Sequence, residues 1–543
     1  MSLPRAPWPA LVVVLLTLVA LGLRVAAANR PGLWADEIFS LAMATGHSLE
    51  HPAADAEPAL GDFTQAADAQ TPGQLRRYAE PDSPPAGPGR VVRAVRLSDT
   101  SPPLYYLLLN GWSRGFGTGD AALRLFSVWW AALSLPLLWL IGRDLGGPRA
   151  GWSACLLFAG SPVAFYFSVE GRMYSALWCL GLALGWSTLR LAEGFRLWPT
   201  VLWLLAGAAG LLTHYFFAFV WLACVAWLAI AGGARLRRGV VALAGATLLL
   251  VLPWYLEVPA SLARWRVSGN WLDGELAWPR ALGRPVELAG SLLAGTTGLG
   301  GWRQADRVAI GLLLMLVVWL LAQRSIGRLA SRGSLLLWIW LAAACTGPLV
   351  FDLLRHTTTT NVPRYALAGL PAAMLLAGLG LSLLPARLQA AALAILLLAW
   401  APGVWPVVVA RVPRPRQPYR ELDARLSSWA GPGDVVIVHS IPSGVIGVAR
   451  YLPRDIPLAP WVVQLGTRRV PGDLERILGG RRRAAVATIH DLGATDSLLP
   501  WLEAHARPLG RDSFPASRAE VRYYGPPDGA AAFPSASPAG RWE

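Results

Sequence analysis

Asp36 and Glu37 are adjacent carboxylates that closely follow an apolar stretch of membrane-spanning length, Trp8 to Ala28. Neighbouring side chains point roughly 100° apart on a helix and to opposite faces of a strand, so both cannot address one reacting atom from a regular element. The pattern assigns one carboxylate to chemistry and the other to support. A third, Asp99, opens the segment Asp99-Thr-Ser-Pro-Pro-Leu-Tyr-Tyr106, whose prolines fix where the next helix begins. An acidic residue also has a plain structural use at a helix start, worth ~0.3 to 1 kcal/mol against the helix dipole.

Ser168-Val-Glu-Gly-Arg-Met-Tyr174 sets an acid, a base and a phenol at alternating positions. In an extended turn Glu170, Arg172 and Tyr174 share one face; in a helix only Glu170 and Tyr174 do. An arginine near the bilayer edge is costly to bury, so it must meet an anion or water. The plain alternative is a snorkelling Arg172 paired with Glu170. Arg364-Tyr365 repeats the combination at the start of another apolar stretch, after a run of threonines. Guanidinium forks match phosphate oxygens bidentately, so Arg172 and Arg364, each near a tyrosine, are candidates for holding an anionic group. His214-Tyr215 interrupts an apolar hairpin and is weaker, because a lone histidine in such a place is commonly a satisfied buried group.

The elements that must carry these residues are membrane spans. Of the 543 residues 54% are hydrophobic, and twelve apolar stretches of spanning or near-spanning length run from 8–28 to 388–409. The first is longer than the ~7 to 15 residues of a secretory signal's apolar region, so it is read as retained. The formal charge of +15 comes wholly from arginine, since the chain has no lysine. The arginines sit in short clusters between spans, such as Arg235, Arg237 and Arg238, which marks cytoplasmic loops rather than a nucleic-acid surface. On that count the carboxylates, both arginine–tyrosine motifs and the carboxyl-terminal region lie on the opposite, extracytoplasmic side. Twelve crossings conflict in parity with a cytoplasmic amino terminus, and 102–117 is the stretch most open to reassignment. The four cysteines all fall in apolar spans, without disulfide or metal spacing. Many of the 27 tryptophans, such as Trp8, Trp34, Trp198 and Trp254, flank spans as interfacial belts do.

Two regions are polar. Within the long first loop, 29–100, the part from Ile38 to Leu49 reads as a short helix lying on the membrane surface, and His51 to Arg90 as a flexible excursion. After Trp405, prolines lead into a soluble region. Asp434-Val-Val-Ile-Val-His439 and Ala484 to Ile489 read there as strands, and Gly444 to Tyr451 as a helix. The expected organisation is an all-α polytopic membrane domain over 1–410 with about 11–13 transmembrane helices, a small extracytoplasmic α/β domain over 411–525, and a disordered tail over 526–543.

The order of these motifs resembles the GT-C superfamily of membrane glycosyltransferases. It comprises an Asp-Glu pair after the first span, the Pro-Pro-Leu-Tyr-Tyr segment, Gly117 followed by Leu123-Arg124-Leu125 and Ser127, Glu170-Gly-Arg172-Met-Tyr174, and a late Arg364-Tyr365. The branch most like it is the protein-mannosyltransferase-like and aminoarabinose-transferase-like one. The resemblance covers the first 230 residues well and the rest loosely. Where many relatives carry a histidine before the two prolines this chain has Ser101, and a lysine that some relatives use near the donor phosphate has no counterpart.

The resemblance implies transfer of a sugar from a polyprenyl-phosphate donor to an acceptor hydroxyl of a lipid, glycan or protein outside the cytoplasm, in a bacterial inner membrane, by single displacement with inversion. It makes Asp36 the general base, Glu37 and Asp99 supporting carboxylates, and Glu170, Arg172, Tyr174, His214, Tyr215, Arg364 and Tyr365 the donor-phosphate and substrate set. No metal site is evident in the sequence, although outer-loop carboxylates could hold a divalent cation. The carboxyl-terminal module is expected to assist acceptor or partner binding rather than catalysis. The rival readings are a polytopic transporter, which would show internal repeats with broken helices, and a non-catalytic envelope assembly protein anchored by its membrane part.

Overall fold

The computed structural model describes residues 8–29, 32–99, 101–269, 271–295, 303–323, 326–409, 417–490 and 496–535. In chain order, helix α1 (Trp8–Ala28) is followed by α2 (Ala35–Ala44), α3 (Pro72–Arg76), α4 (Pro88–Ser98) and α5 (Leu104–Phe116). Then come α6 (Asp120–Gly146), α7 (Pro148–Gly160), α8 (Pro162–Ser168), α9 (Tyr174–Ala192), α10 (Leu197–Leu211), α11 (Phe217–Ala231), α12 (Ala234–Tyr255) and α13 (Val258–Leu262). The run ends with α14 (Trp278–Leu293), α15 (Arg303–Ala322), α16 (Arg332–Arg355), α17 (Leu370–Ser382) and α18 (Ala386–Val408). The carboxyl-terminal region adds α19 (Tyr419–Trp429), α20 (Pro442–Tyr451), α21 (Gly472–Leu478) and α22 (Leu498–His505), with strands β1 (Val435–His439), β2 (Leu458–Trp461), β3 (Ala484–Thr488), β4 (Arg507–Phe514) and β5 (Ala519–Gly525). The chain forms two compact units, Met1–Arg30 with Ala121–Pro259 and Leu272–Pro413, and Pro31–Asp120 with Ala260–Trp271 and Arg414–Glu543.

The first unit is the membrane part of a multi-pass integral membrane protein. Among the described residues six helices are long and apolar enough to cross a bilayer, or seven if α7 and α8 are one span, and three shorter apolar helices accompany them. Two of the short ones, α10 and α11, have 15 residues each, below the ~20 of a straight crossing.

The sequence stretch 152–170 is not one rod: α7 and α8 meet at a 62° bend. Pro162 has no N–H to offer the Phe158 carbonyl, and Ser161 turns extended and caps α8, its Oγ accepting from the Ala164 amide at 3.3 Å. Arg24 of α1, 1% exposed, takes up the carbonyls at the break, donating to Ala159 O at 2.9 Å and Phe158 O at 3.4 Å, and to Ser168 Oγ at 2.8 Å. A guanidinium fork suits this because its several donors meet several acceptors at once.

Several tryptophans work inside this unit rather than at a belt. Trp178 and Trp340, both fully buried, donate to the carbonyls of Leu367 and Ala368 at 2.8 Å each. They thereby satisfy the 3₁₀ turn Pro363–Gly369, which carries Arg364 and Tyr365. Trp340 reaches so far because Gly181 and Gly185 leave room for its ring; a Cβ at either would stand 2.9 Å from it. All four cysteines are buried and free.

In the second unit the sheet order is β2-β1-β3-β5-β4, with β1, β2 and β3 parallel and β4 and β5 antiparallel. Val435 to Val438 are wholly buried, the continuous apolar run expected of a strand covered on both faces.

The loop differs from the sequence expectation. Helix α2 does not lie on a surface; most of it is buried among α4, α5 and α20, and Asn110 Nδ2 ties its end by donating to Ala44 O at 2.7 Å. The segment 51–90 is no loose excursion either. Asp62, 0% exposed, accepts from Ser48 Oγ at 2.5 Å, Glu57 N at 2.8 Å and Arg93 Nη2 at 2.8 Å. Gln70 and Leu458 exchange backbone hydrogen bonds at 2.8 Å. These buried polar partners were invisible in composition, which only registered Asp, Pro and Ala. The stretch 102–117 becomes the 13-residue α5 of this unit. Of the expected disordered tail, the part up to Ser535 packs on the module: Phe533 is 2% exposed and its amide donates to Arg481 O at 2.8 Å. Residues 536–543 lie outside the described residues.

Candidate functional site

Asp36 and Glu37 occupy the first turn of α2. Glu37 Oε2 accepts from the Trp34 amide at 3.2 Å and the residue is 0% exposed, so its carboxylate reaches back to cap the start of the helix. Asp36, one residue earlier, is half-buried and stands where the helix N-terminus favours negative charge. The adjacent acids thus differ in environment: Glu37 is fully buried in the cap and Asp36 is half-buried.

The backbone ahead of α2 is held by the carboxyl-terminal module. The Leu33 amide donates to Tyr451 Oη at 2.8 Å and the Ala35 amide to Gln417 Oε1 at 3.1 Å. Tyr451 Oη donates in turn to Asp120 Oδ2 at 2.8 Å, Arg450 Nε reaches Asp120 Oδ1 at 2.9 Å, and the Gly32 amide reaches Oδ2 at 3.1 Å. Asp36 also acts on two side chains of that module. It adds to the effect of burial in raising the Tyr419 phenol well above the usual range, and it opposes burial at His490, whose imidazole is pushed down to about 4.

Asp99 ends α4 and accepts from Tyr106 Oη and, at 3.2 Å, from the Ser101 amide. Sequence reasoning missed its neighbour Glu50. That side chain is 1% exposed, Oε2 accepts from the Ser268 amide at 2.6 Å, and Oε1 has no hydrogen-bond partner among the described residues. Burial pushes the Glu50 carboxyl up to about 7; Ser268 and the Arg266 charge pull it back and the Asp99 charge adds to the rise. Nothing in sequence spacing signals Glu50, because its environment comes from the distant segment around residue 268. His490 had a signal: it follows a predicted strand, and ligand sites of open α/β sheets lie at the carboxyl ends of strands.

In the membrane unit, Glu170 and Arg172 lie in the turn between α8 and α9, 1% and 9% exposed, and Tyr174 begins α9. The turn is neither extended nor helical: the Arg172 amide donates to Glu170 O at 2.7 Å, and Arg172 O accepts from Ser127 Oγ at 3.2 Å. Gly171 permits it, since a Cβ there would overlap Leu123. His214 sits with its ring 6.4 Å from that of Tyr174 and 6.5 Å from that of Tyr365. Its Nδ1 accepts from the Phe216 amide at 3.1 Å, so a neutral ring carries its proton on Nε2. The structure therefore gathers Tyr174, His214 and Tyr365. Tyr215 instead faces α12, accepting from Trp254 Nε1 at 3.2 Å. Arg364 lies 5.7 Å over the Tyr365 ring. Its approach is fixed by buried Asp352, which accepts from Thr357 Oγ1 at 2.7 Å, the Thr359 amide at 2.7 Å and the Thr360 amide at 2.9 Å.

Among the described residues no three His, Cys, Asp or Glu side chains gather as a metal site. Two outer-loop carboxylates pair with arginines, Asp62 with Arg93 and Asp82 with Arg90.

Residues 100–256 match the model of the family described as dolichyl-phosphate-mannose-protein mannosyltransferase. By structure the chain is similar to ArnT from Cupriavidus metallidurans in the apo state, with a TM-score of 0.57 and 13% identity over 94% of this chain and 97% of that one. The fold is ArnT-like. ArnT from the same organism bound to undecaprenyl phosphate gives 0.55 and 13% over 95% and 98%. No curated protein matches the sequence. The chain therefore has two separate likenesses, one of sequence to the mannosyltransferase family model over 100–256 and one of fold to ArnT over nearly its whole length.

Proposed function

We propose that the protein is an inverting membrane glycosyltransferase that moves a sugar from a polyprenyl-phosphate donor to an acceptor hydroxyl on the extracytoplasmic side of a bacterial inner membrane. The carrying observation is Asp36 in the first turn of α2, half-buried, beside a Glu37 already engaged in the helix cap. The acceptor oxygen attacks the anomeric carbon, the bond from that carbon to the phosphate oxygen breaks, and the acceptor proton passes to the Asp36 carboxylate. The polyprenyl phosphate leaves with the bonding pair. A general base in hydrogen-bond reach contributes roughly 10² to 10⁴-fold. Phosphate as leaving group needs its charge balanced by cations, and Arg172 and Arg364 are proposed for that part as a separate assignment. Support for a lipid-phosphate donor comes from the fold shared with ArnT, one structure of which is bound to undecaprenyl phosphate.

The test is to incubate purified protein with a panel of polyprenyl-phosphate sugars and measure release of the lipid phosphate. Release with at least one donor, lost in Asp36→Asn, is the expected result; no release with any donor sinks the proposal. A reporter fused after Trp542 that reacts only in the cytoplasm would overturn the assigned side.

A further inference from the structure

The face of α20 that carries Gly444 and Gly447 is shaped by two side chains from elsewhere in the module. A Cβ at Gly447 would overlap the Tyr419 ring, and a Cβ at Gly444 would overlap Ser440 Oγ and stand 3.1 Å from His490 Nδ1. Glycines one helical turn apart thus let Tyr419 and His490 lie against the same helix, and that helix packs on α2, which bears Asp36.

Both side chains end in a buried polar atom, Tyr419 Oη and His490 Nε2, with no hydrogen-bond partner among the described residues. Buried donors are rarely left this way in folded proteins, and exceptions cluster where function requires them. His490 has the further mark of a left-handed backbone, φ 57° in a non-glycine residue, a strain that persists only where the surroundings impose it. Its Nδ1 lies 3.1 Å from Ser440 Oγ. If Ser440 donates, the imidazole proton is fixed on Nε2, leaving that nitrogen a donor. The Asp36 carboxylate is the charge that both groups feel, Tyr419 together with the Tyr451 phenol.

We infer that Tyr419 and His490 are positioning residues for Asp36, two neutral donors that turn to its carboxylate in the substrate-loaded enzyme and aim its proton-accepting oxygen at the acceptor hydroxyl. This rests on the reading of Asp36 as base. Catalytic hydrogen bonds are commonly long before substrate binds and tighten afterwards, and donors to a carboxylate favour its ionised, proton-accepting form. The carboxyl-terminal module then acts in catalysis through Asp36, with Ser440 setting the histidine tautomer.

The experiment compares wild type, Asp36→Asn, Tyr419→Phe and His490→Gln for lipid-phosphate release across pH, with thermal unfolding as the folding control. Expected are a fall in kcat of about tenfold in each of the two variants, an unchanged donor KM, and an acid limb moved to higher pH. A merely structural role would move unfolding but not that limb. Unchanged kcat and superimposable pH profiles in both variants, with Asp36→Asn inactive, overturn the inference and leave the base assignment standing. An active Asp36→Asn overturns the base assignment itself. A readout free of turnover is the side-chain ¹⁵N spectrum of histidine-labelled protein, with His490 assigned through His490→Gln. Asp36→Asn should shift the His490 signals, and unshifted signals overturn the inference.

Discussion

The amide of Leu33 donates to the hydroxyl of Tyr451 at 2.8 Å, which fastens the backbone just ahead of Asp36 to the helix α20 of the carboxyl-terminal module. Asp120 completes the fastening by accepting from Tyr451, Arg450 and the Gly32 amide. A module expected only to help bind acceptor or partner thus sets the position of the proposed base.

Tyr451→Phe removes the oxygen that satisfies the Leu33 amide, leaving a buried N–H unpaired at a cost of about 1 to 3 kcal/mol. Thermal unfolding should move down and kcat should fall with it, because the start of α2 loosens. A variant with wild-type unfolding and wild-type turnover would show that the fastening is immaterial.

Asp36→Asn should lower turnover at least about a hundredfold, whereas Glu37→Gln should keep most of it, since a glutamine oxygen can still accept from Trp34. Glu37→Ala should lose roughly 0.5 to 2 kcal/mol of stability with the cap. Loss of turnover in Glu37→Gln together with an active Asp36→Asn would exchange the two roles.

Arg172→Ala and Arg364→Ala should each weaken binding of polyprenyl phosphate, by roughly the 2 to 5 kcal/mol typical of breaking a buried charge pair. Lysine at either position keeps the charge but loses the planar fork, so donor use should still suffer. Unchanged affinity in both alanine variants would leave these arginines a structural role only.

Glu50 should make stability depend on pH. Its folded-state pKa of about 7 stands above the ordinary glutamate value of 4.5, so between those values the folded chain binds more protons than the unfolded one. Its contribution is fully present below pH 4.5 and is lost as pH rises through 7, at up to about 1.4 kcal/mol per pH unit. Unfolding midpoints measured from pH 4.5 to 8 should fall more steeply in wild type than in Glu50→Gln. Parallel profiles would mean that Glu50 keeps its charge when folded.

Apolar run length made the membrane part legible as helices, because lipid demands long apolar helices whatever their partners are. The strands Val435–His439 and Ala484–Thr488 were equally legible, since a doubly covered parallel strand is a continuous apolar run. The chemical residue types at 36, 99, 172 and 364 could also be named from order and spacing. What sequence could not decide was which of two adjacent carboxylates is engaged: Glu37 is taken by a cap only because Trp34 leaves the helix in extended backbone. Nor could it see that the loop 51–90 is ordered, that α7 and α8 part with Arg24 closing the gap, or that Glu50, Tyr419 and His490 belong beside the acids. Each of those depends on partners far away in the chain, such as Ser268 for Glu50 or Asp36 for His490. Local pattern fixes an element's periodicity, but burial and the field at a side chain are properties of what packs against it, and only the tertiary structure supplies those.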